Sequence, residues 1–127
     1  MVTGYPHSDL TEQVIGAAVE VHRHLGPGLL ESAYEECLCR ELAERGIPFA
    51  RQVPLPIDYK GQRLDAGYRI DLLVDDRLIL ELKSVDAVTG IHEAQLLTYL
   101  RLSGKSVGLI INFNTQLLKH GITRRVL

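Results

Sequence analysis

Apolar residues recur along this chain with two periods, and the change from one to the other divides it into elements. Over residues 9–25, Leu10, Val14, Ala17, Ala18, Val21 and Leu25 fall three or four apart, the stripe of an amphipathic helix. Asp9 with Glu12 resembles a capping box at its start, and Gly26-Pro27-Gly28 ends it. His22 and His24, near its C-terminus, read as surface residues favoured by the helix dipole. A second helix is expected over 30–45, with Leu30, Tyr34, Cys37, Leu38 and Leu42 as its buried stripe and Gly46 and Pro48 closing it. The period then drops to two. Val53, Leu55 and Ile57 alternate with Gln52, Pro54, Pro56 and Asp58, which predicts a half-buried strand over 51–59 whose prolines confine it to a sheet edge. Lys60-Gly61-Gln62 turns the chain into a strand over 63–68. Two further strands, Tyr68–Val74 and Leu78–Val85, flank the charged corner Asp75-Asp76-Arg77. Thr89 is the predicted N-cap of a helix that reaches Ser103 and stops at Gly104. The run 106–113, with Val107, Leu109, Ile110 and Ile111, suits a strand covered on both faces. A short tail over 117–127 carries Lys119, His120, Arg124 and Arg125, a basic cluster that reads as solvated or else as phosphate-facing, with the solvated reading favoured.

Helices, strands, a helix and a last strand in that order predict an α/β domain with a mixed sheet. At 127 residues the chain is long enough for one real core and too short for two, so residues 1–127 are expected to form a single domain. With 46% hydrophobic and 24% charged residues the composition excludes a disordered chain. The formal charge of −2 supplies no global basic field, so any surface for nucleic acid has to be local. No apolar run approaches a membrane span, and Met1-Val-Thr-Gly-Tyr-Pro6 does not read as a signal peptide. Cys37 and Cys39, two apart on a helix, diverge and suit neither a disulfide nor zinc, and a cytoplasmic location is expected.

Opposed residues of a hairpin keep a constant index sum. Placing Asp71 opposite Glu81 makes Val74 face Leu78 and leaves a three-residue loop at 75–77, a common length. Such a loop usually takes Gly at its left-handed position, and this corner has none. Alternation puts Glu81 and Lys83 on one strand face, so two carboxylates and an ammonium converge on an otherwise apolar sheet. Paired oxygen donors are what a hard divalent cation such as Mg2+ or Mn2+ requires, and an ammonium two residues away could touch the same water or a scissile phosphate. A solvated sheet face, with Asp71 paired to Arg69 or Lys83, accounts for the same residues. Glu31, in the first turn of the second helix, borders that helix's buried face; it reads either as a dipole-favoured carboxylate or as a third acid aimed at the pair. Gln95 and Tyr99, four apart, share one helix face.

With Asp71, Glu81-x-Lys83 and a following Gln95 on this order of elements, the chain resembles the core of the PD-(D/E)XK nuclease superfamily. More closely, Gly28-Leu-Leu-Glu31-Ser-Ala-Tyr34 is similar to the GxxExxY signature of one family within it. The likeness runs from Asp9 to about Asn114, and the Pro that often precedes the first Asp is replaced by Ile70. The resemblance implies a restriction-endonuclease-like core, a mixed central sheet flanked by helices in the order α-α-β-β-β-α-β. It implies a metal-dependent phosphodiesterase acting on DNA or RNA. Asp71, Glu81 and the backbone carbonyl of Leu82 would hold Mg2+ or Mn2+; Lys83 would orient the attacking water; Glu31 and Gln95 would complete the catalytic set. Tyr34 and Tyr99 would position substrate or Gln95, or else serve as core aromatics with polar tips. Nucleic acid is the expected partner, with a homodimer or protein partner to supply the missing basic surface. The competing reading is a non-catalytic nucleic-acid-binding or protein-interaction module that keeps the nuclease fold.

Overall fold

The computed structural model describes residues 6–127, so the signal-peptide reading of residues 1–5 falls outside the described residues. The first helix, α1, spans Ser8–Leu25. It begins one residue earlier than expected, behind His7 in the left-handed region (φ 56), so Asp9 lies inside the first turn and the anticipated capping box does not form. The Thr11 hydroxyl instead donates to the His7 carbonyl at 3.0 Å. His22 also departs from expectation. It is buried, at 8% exposure, with Nε2 2.8 Å from the Thr115 carbonyl, because the chain after the last long strand crosses the end of α1.

Helix α2 spans Glu31–Glu44 and ends at Gly46, whose φ of 71 lets the Ile47 amide reach back to the Leu42 carbonyl at 2.9 Å. Leu30 stands just before the helix and is 76% exposed, so it is not part of the buried stripe; Cys39 is buried where Cys37 is only half-buried. The predicted strand over 51–59 splits at its prolines into β1 (Phe49–Pro54) and β2 (Ile57–Tyr59). β2 pairs with β3 (Gln62–Leu64) in a small separate hairpin, turned by Lys60 and Gly61 at positive φ. β4 (Arg69–Val74) and β5 (Leu78–Lys83) form the central hairpin. Helix α3 spans Gly90–Ser103 behind Thr89, whose amide donates to His92 Nδ1 at 3.1 Å, and Gly104 stops it at φ 74. It crosses to β6 (Val107–Asn112), parallel to β5 and buried throughout. The C-terminal tail is not a loose basic cluster: after a 3-10 turn at Leu118–Gly121 it forms an edge strand, β7 (Ile122–Val126), and Arg125 pairs with Glu93 of α3.

The main sheet runs β1-β4-β5-β6-β7, in which the β5–β6 pair is parallel and the others antiparallel, so β1 holds the edge that Pro54 demands. Leu72, Leu80, Leu82, Leu109 and Ile111 pack under α1 and α2, while Ile79 and Ile110 join Leu96, Tyr99 and Leu100 of α3. This mixed sheet between helical layers is the restriction-endonuclease-like arrangement. α3 sits close because β6 carries Gly108, where a Cβ would lie 2.7 Å from Leu96 Cδ1.

Candidate active site

The hairpin adopts the register that its index sum requires. Val74 pairs with Leu78, Leu73 with Ile79 and Leu72 with Leu80, which brings Asp71 level with Glu81. The corner meets its need for left-handed residues without glycine. Asp75 (φ 51) and Asp76 (φ 56) take those positions, the Arg77 amide bonds to the Val74 carbonyl at 3.0 Å, and the Arg77 guanidinium donates to Asp75 Oδ2 at 2.8 Å. Beyond Leu72–Leu80 the backbone ladder gives way to side-chain bonds between the two acids' strands. The Asp71 amide donates to Glu81 Oε2 at 3.1 Å, and the Leu82 amide donates to Asp71 Oδ2 at 2.8 Å. Each carboxylate is therefore held by the other strand's backbone.

Burial at this point sets the electrostatics. Glu81 is only 5% exposed, and loss of solvent, reinforced by the Asp71 charge, pushes its carboxyl up to about 8; the Asp71 amide and Lys83 pull weakly the other way. Burial likewise raises Asp71, against the opposing pull of the Leu82 amide. Glu31 is raised by desolvation, partly countered by Lys83, and it also senses Asp71. Tyr99 is raised by burial and then by the Glu81 charge. Two carboxylates that resist ionisation side by side need a positive partner to be charged together.

The remaining predicted residues gather around this pair to different degrees. Lys83 ends β5 two residues after Glu81, paired with Asn112 of β6. Gln95 Nε2 donates to the Tyr99 hydroxyl at 3.1 Å on α3, and Tyr99 is buried with Tyr68 edge-on at 6.0 Å. Glu31 opens α2 and reaches the pair through charge rather than contact: among the described residues, no group of three or more His, Cys, Asp or Glu side chains is placed to hold a metal ion. Tyr34 is fully buried, at 0% exposure, and stacked on Phe113 at 4.4 Å. Its hydroxyl donates to the Gly26 carbonyl at 2.6 Å and accepts from the Leu29 amide at 3.1 Å, so it clamps the turn that presents Glu31. Gly28 takes φ 97 in that turn, and Ser84 Oγ donates to the Leu29 carbonyl at 2.6 Å, tying the turn to the end of β5. The spacing Gly28, Glu31, Tyr34 thus has a geometric reason: a left-handed turn, an acid at the helix start, and a phenol that locks the turn.

Three residues near the site escape a reading of the sequence alone. Asn112 is buried; its Oδ1 accepts the Val85 amide at 3.1 Å and its Nδ2 donates to the Val85 carbonyl at 3.0 Å, fixing the chain just after Lys83. A polar residue closing a fully buried strand is the available signal. Glu35, one turn after Glu31 on the same helix face, adds to the rise at Asp71. Gln52 bonds Glu35 and pulls the Asp71 carboxyl down.

Compared with known families, residues 8–126 match the family model of the PD-(D/E)XK nuclease superfamily. The chain belongs to that superfamily. No curated protein and no solved structure is matched by it. The match covers both helical layers and the whole sheet, so Asp71, Glu81 and Lys83 lie within the matched residues. PD-(D/E)XK nucleases generally use divalent metal ions. The residues here fit such an ion: the carboxylates are hard oxygen donors, both are held in place by backbone amides, and burial raises both, so a bound cation would favour their charged forms. Among the described residues no helix is long and apolar enough to cross a membrane.

Proposed function

We propose that this PD-(D/E)XK domain is a Mg2+-dependent nuclease, served also by Mn2+, that hydrolyses phosphodiester bonds of DNA or RNA and belongs with the GxxExxY family. The observation that carries this reading is the cross-strand Asp71–Glu81 pair, Glu81 buried and Asp71 half-buried, each carboxylate bonded to the other strand's backbone, with Lys83 at the end of the same strand as Glu81. An ordinary solvated sheet face would not bury Glu81 or raise its carboxyl to about 8. Asp71, Glu81 and the Leu82 carbonyl would hold the ion, which when bound would polarise the phosphate and make water a better nucleophile. Lys83 orients the attacking water and stabilises the charge that develops on the phosphate oxygens. Glu31, whose carboxyl burial raises against the pull of Lys83, is a second polar group toward that water. Gln95, fixed by Tyr99, positions the substrate backbone, and Tyr34 acts indirectly by locking the turn before Glu31.

The direct test is turnover of labelled single- and double-stranded DNA and RNA by the full chain with Mn2+. Cleavage of at least one substrate should vanish in chelator and in Asp71→Asn, with calorimetric Mn2+ binding lost in the same variant. A wild-type protein inert on all four substrates with metal present would favour the interaction-module reading instead. The balance of 14 basic against 16 acidic residues further leads us to expect a second copy or a protein partner to help hold a duplex. A monomer in light scattering that cleaves duplex efficiently by itself contradicts that expectation.

A further inference from the structure

Gln52 combines two features that no structural need of β1 accounts for. The described non-glycine residues with positive φ are His7, Gln52, Lys60, Asp75 and Asp76; four lie at a helix start or in hairpin turns, and Gln52 (φ 50) stands inside a strand. The pairing with β4 is registered on both sides of it, Arg51 with Leu72 and Val53 with Ile70, and skips Gln52 itself. The same index sum puts it level with Asp71. An L residue takes the left-handed region inside a strand only when something compensates.

The compensation is visible in the side chain. Gln52 Nε2 donates to Glu35 Oε1 at 3.0 Å, and the same carboxamide, level with Asp71 in the strand pairing, pulls the Asp71 carboxyl down. Nε2 carries two N–H groups, enough to serve one acid from each of two elements. Glu35 is itself immobilised: Arg51 Nη2 lies 2.9 Å from its Oε2 and also reaches Glu36 Oε1 at 2.9 Å. Arg51, Glu35 and Gln52 thus form a chain of bonds that ties α2 to the strand position level with Asp71.

We propose that Gln52 is a positioning residue for Asp71, bracing its carboxylate against Glu35 so that it is oriented toward a bound divalent ion. The chemistry suits a carboxamide in particular. A neutral donor lets two acids sit close without adding a positive charge that would compete with the ion for Asp71. Glutamate in its place would add repulsion and accept rather than donate. This inference rests on the metal-dependent reading above and adds a partner for one of its ligands.

The test separates the side chain from the backbone. Gln52→Gly retains easy access to the left-handed region and removes the amide. We expect it to melt at the same temperature as wild type or higher, while calorimetric Mn2+ affinity of the full chain falls about 10- to 100-fold. Gln52→Asn also tolerates the left-handed region but is one methylene short. It should lose affinity in the same way, and it takes the place of the glycine variant should that fail to fold. Folded variants that bind Mn2+ within twofold of wild type overturn this inference while leaving the nuclease reading intact. A wild-type protein that binds no Mn2+ overturns both.

Discussion

Replacing Glu81 by glutamine should stabilise the metal-free protein at alkaline pH while removing its function. The Glu81 carboxyl is raised from 4.5 to about 8, chiefly by burial and then by the Asp71 charge. The folded state therefore holds a proton more tightly than the unfolded chain. The unfolded carboxyl ionises near 4.5, whereas the folded one stays protonated until about 8, so stability falls as pH rises between those values and the full cost applies above them. Each pH unit of displacement corresponds to about 1.4 kcal/mol, so ionised Glu81 costs the fold on the order of 5 kcal/mol, with both charges of the pair sharing that figure. The carboxamide introduced by Glu81→Gln keeps an acceptor for the Asp71 amide and never ionises. Urea unfolding of Glu81→Gln and wild type at pH 5, 7 and 9 in chelator should therefore show a difference that is small at the acid end and favours the variant by a few kcal/mol at pH 9. Mn2+ at about 100 times its dissociation constant should stabilise wild type by about 2.7 kcal/mol and leave the variant unchanged. A difference that is flat with pH, or that favours wild type at pH 9 in chelator, would refute the reasoning.

Two other substitutions test how the site is held. Tyr34→Phe deletes the hydroxyl that bridges the Gly26 carbonyl and the Leu29 amide; it should cost about 1–3 kcal/mol in chemical denaturation. Because the stacking on Phe113 survives, a loss above that range would point to a wider role. Gly108→Ala drives a methyl to 2.7 Å from Leu96 Cδ1 under α3, so it should cost about 1–3 kcal/mol and lower turnover as well by shifting Gln95 and Tyr99. A variant as stable as wild type would show that α3 is not seated as tightly as this contact requires.

Much of the fold is legible in the sequence because periodicity and breakers agree. The stripe from Leu10 to Leu25, the Gly26-Pro27-Gly28 stop, Thr89 before α3 and Gly104 after it each mark an element in local sequence. The Asp71–Glu81 register is readable because a one-residue slip would invert every buried side chain of both strands. What local patterns do not encode is where a side chain's partner comes from elsewhere in the chain. His22 is not the surface residue its position suggests because its partner, Thr115, lies 93 residues on; the 117–127 tail is not a solvated cluster because β7 forms by pairing with β6. The 51–59 strand breaks at Pro56, which has no amide to donate: Pro54 is still paired with Arg69 and the Leu55 amide still reaches the Tyr68 carbonyl at 3.0 Å. Around the site, Glu31 and Gln95 stand out by spacing, whereas Gln52 and Glu35 do not, since their relation to Asp71 depends on an unusual φ and on the packing of α2 against the sheet.

The central claim is that Asp71, Glu81 and Lys83 hydrolyse phosphodiesters together, and Lys83→Ala tests it most directly. An ammonium beside two carboxylates is favourable whether or not catalysis occurs, so only its removal is informative. As a half-buried residue at a strand end, Lys83 should contribute about 0–1 kcal/mol to stability, so the thermal melt should barely move. Mn2+ affinity should survive because both carboxylates remain. Turnover of the preferred labelled nucleic acid should fall on the order of 100-fold or more, the usual effect of deleting a donor aimed at developing charge. Normal turnover by a folded, metal-binding Lys83→Ala protein would contradict the account.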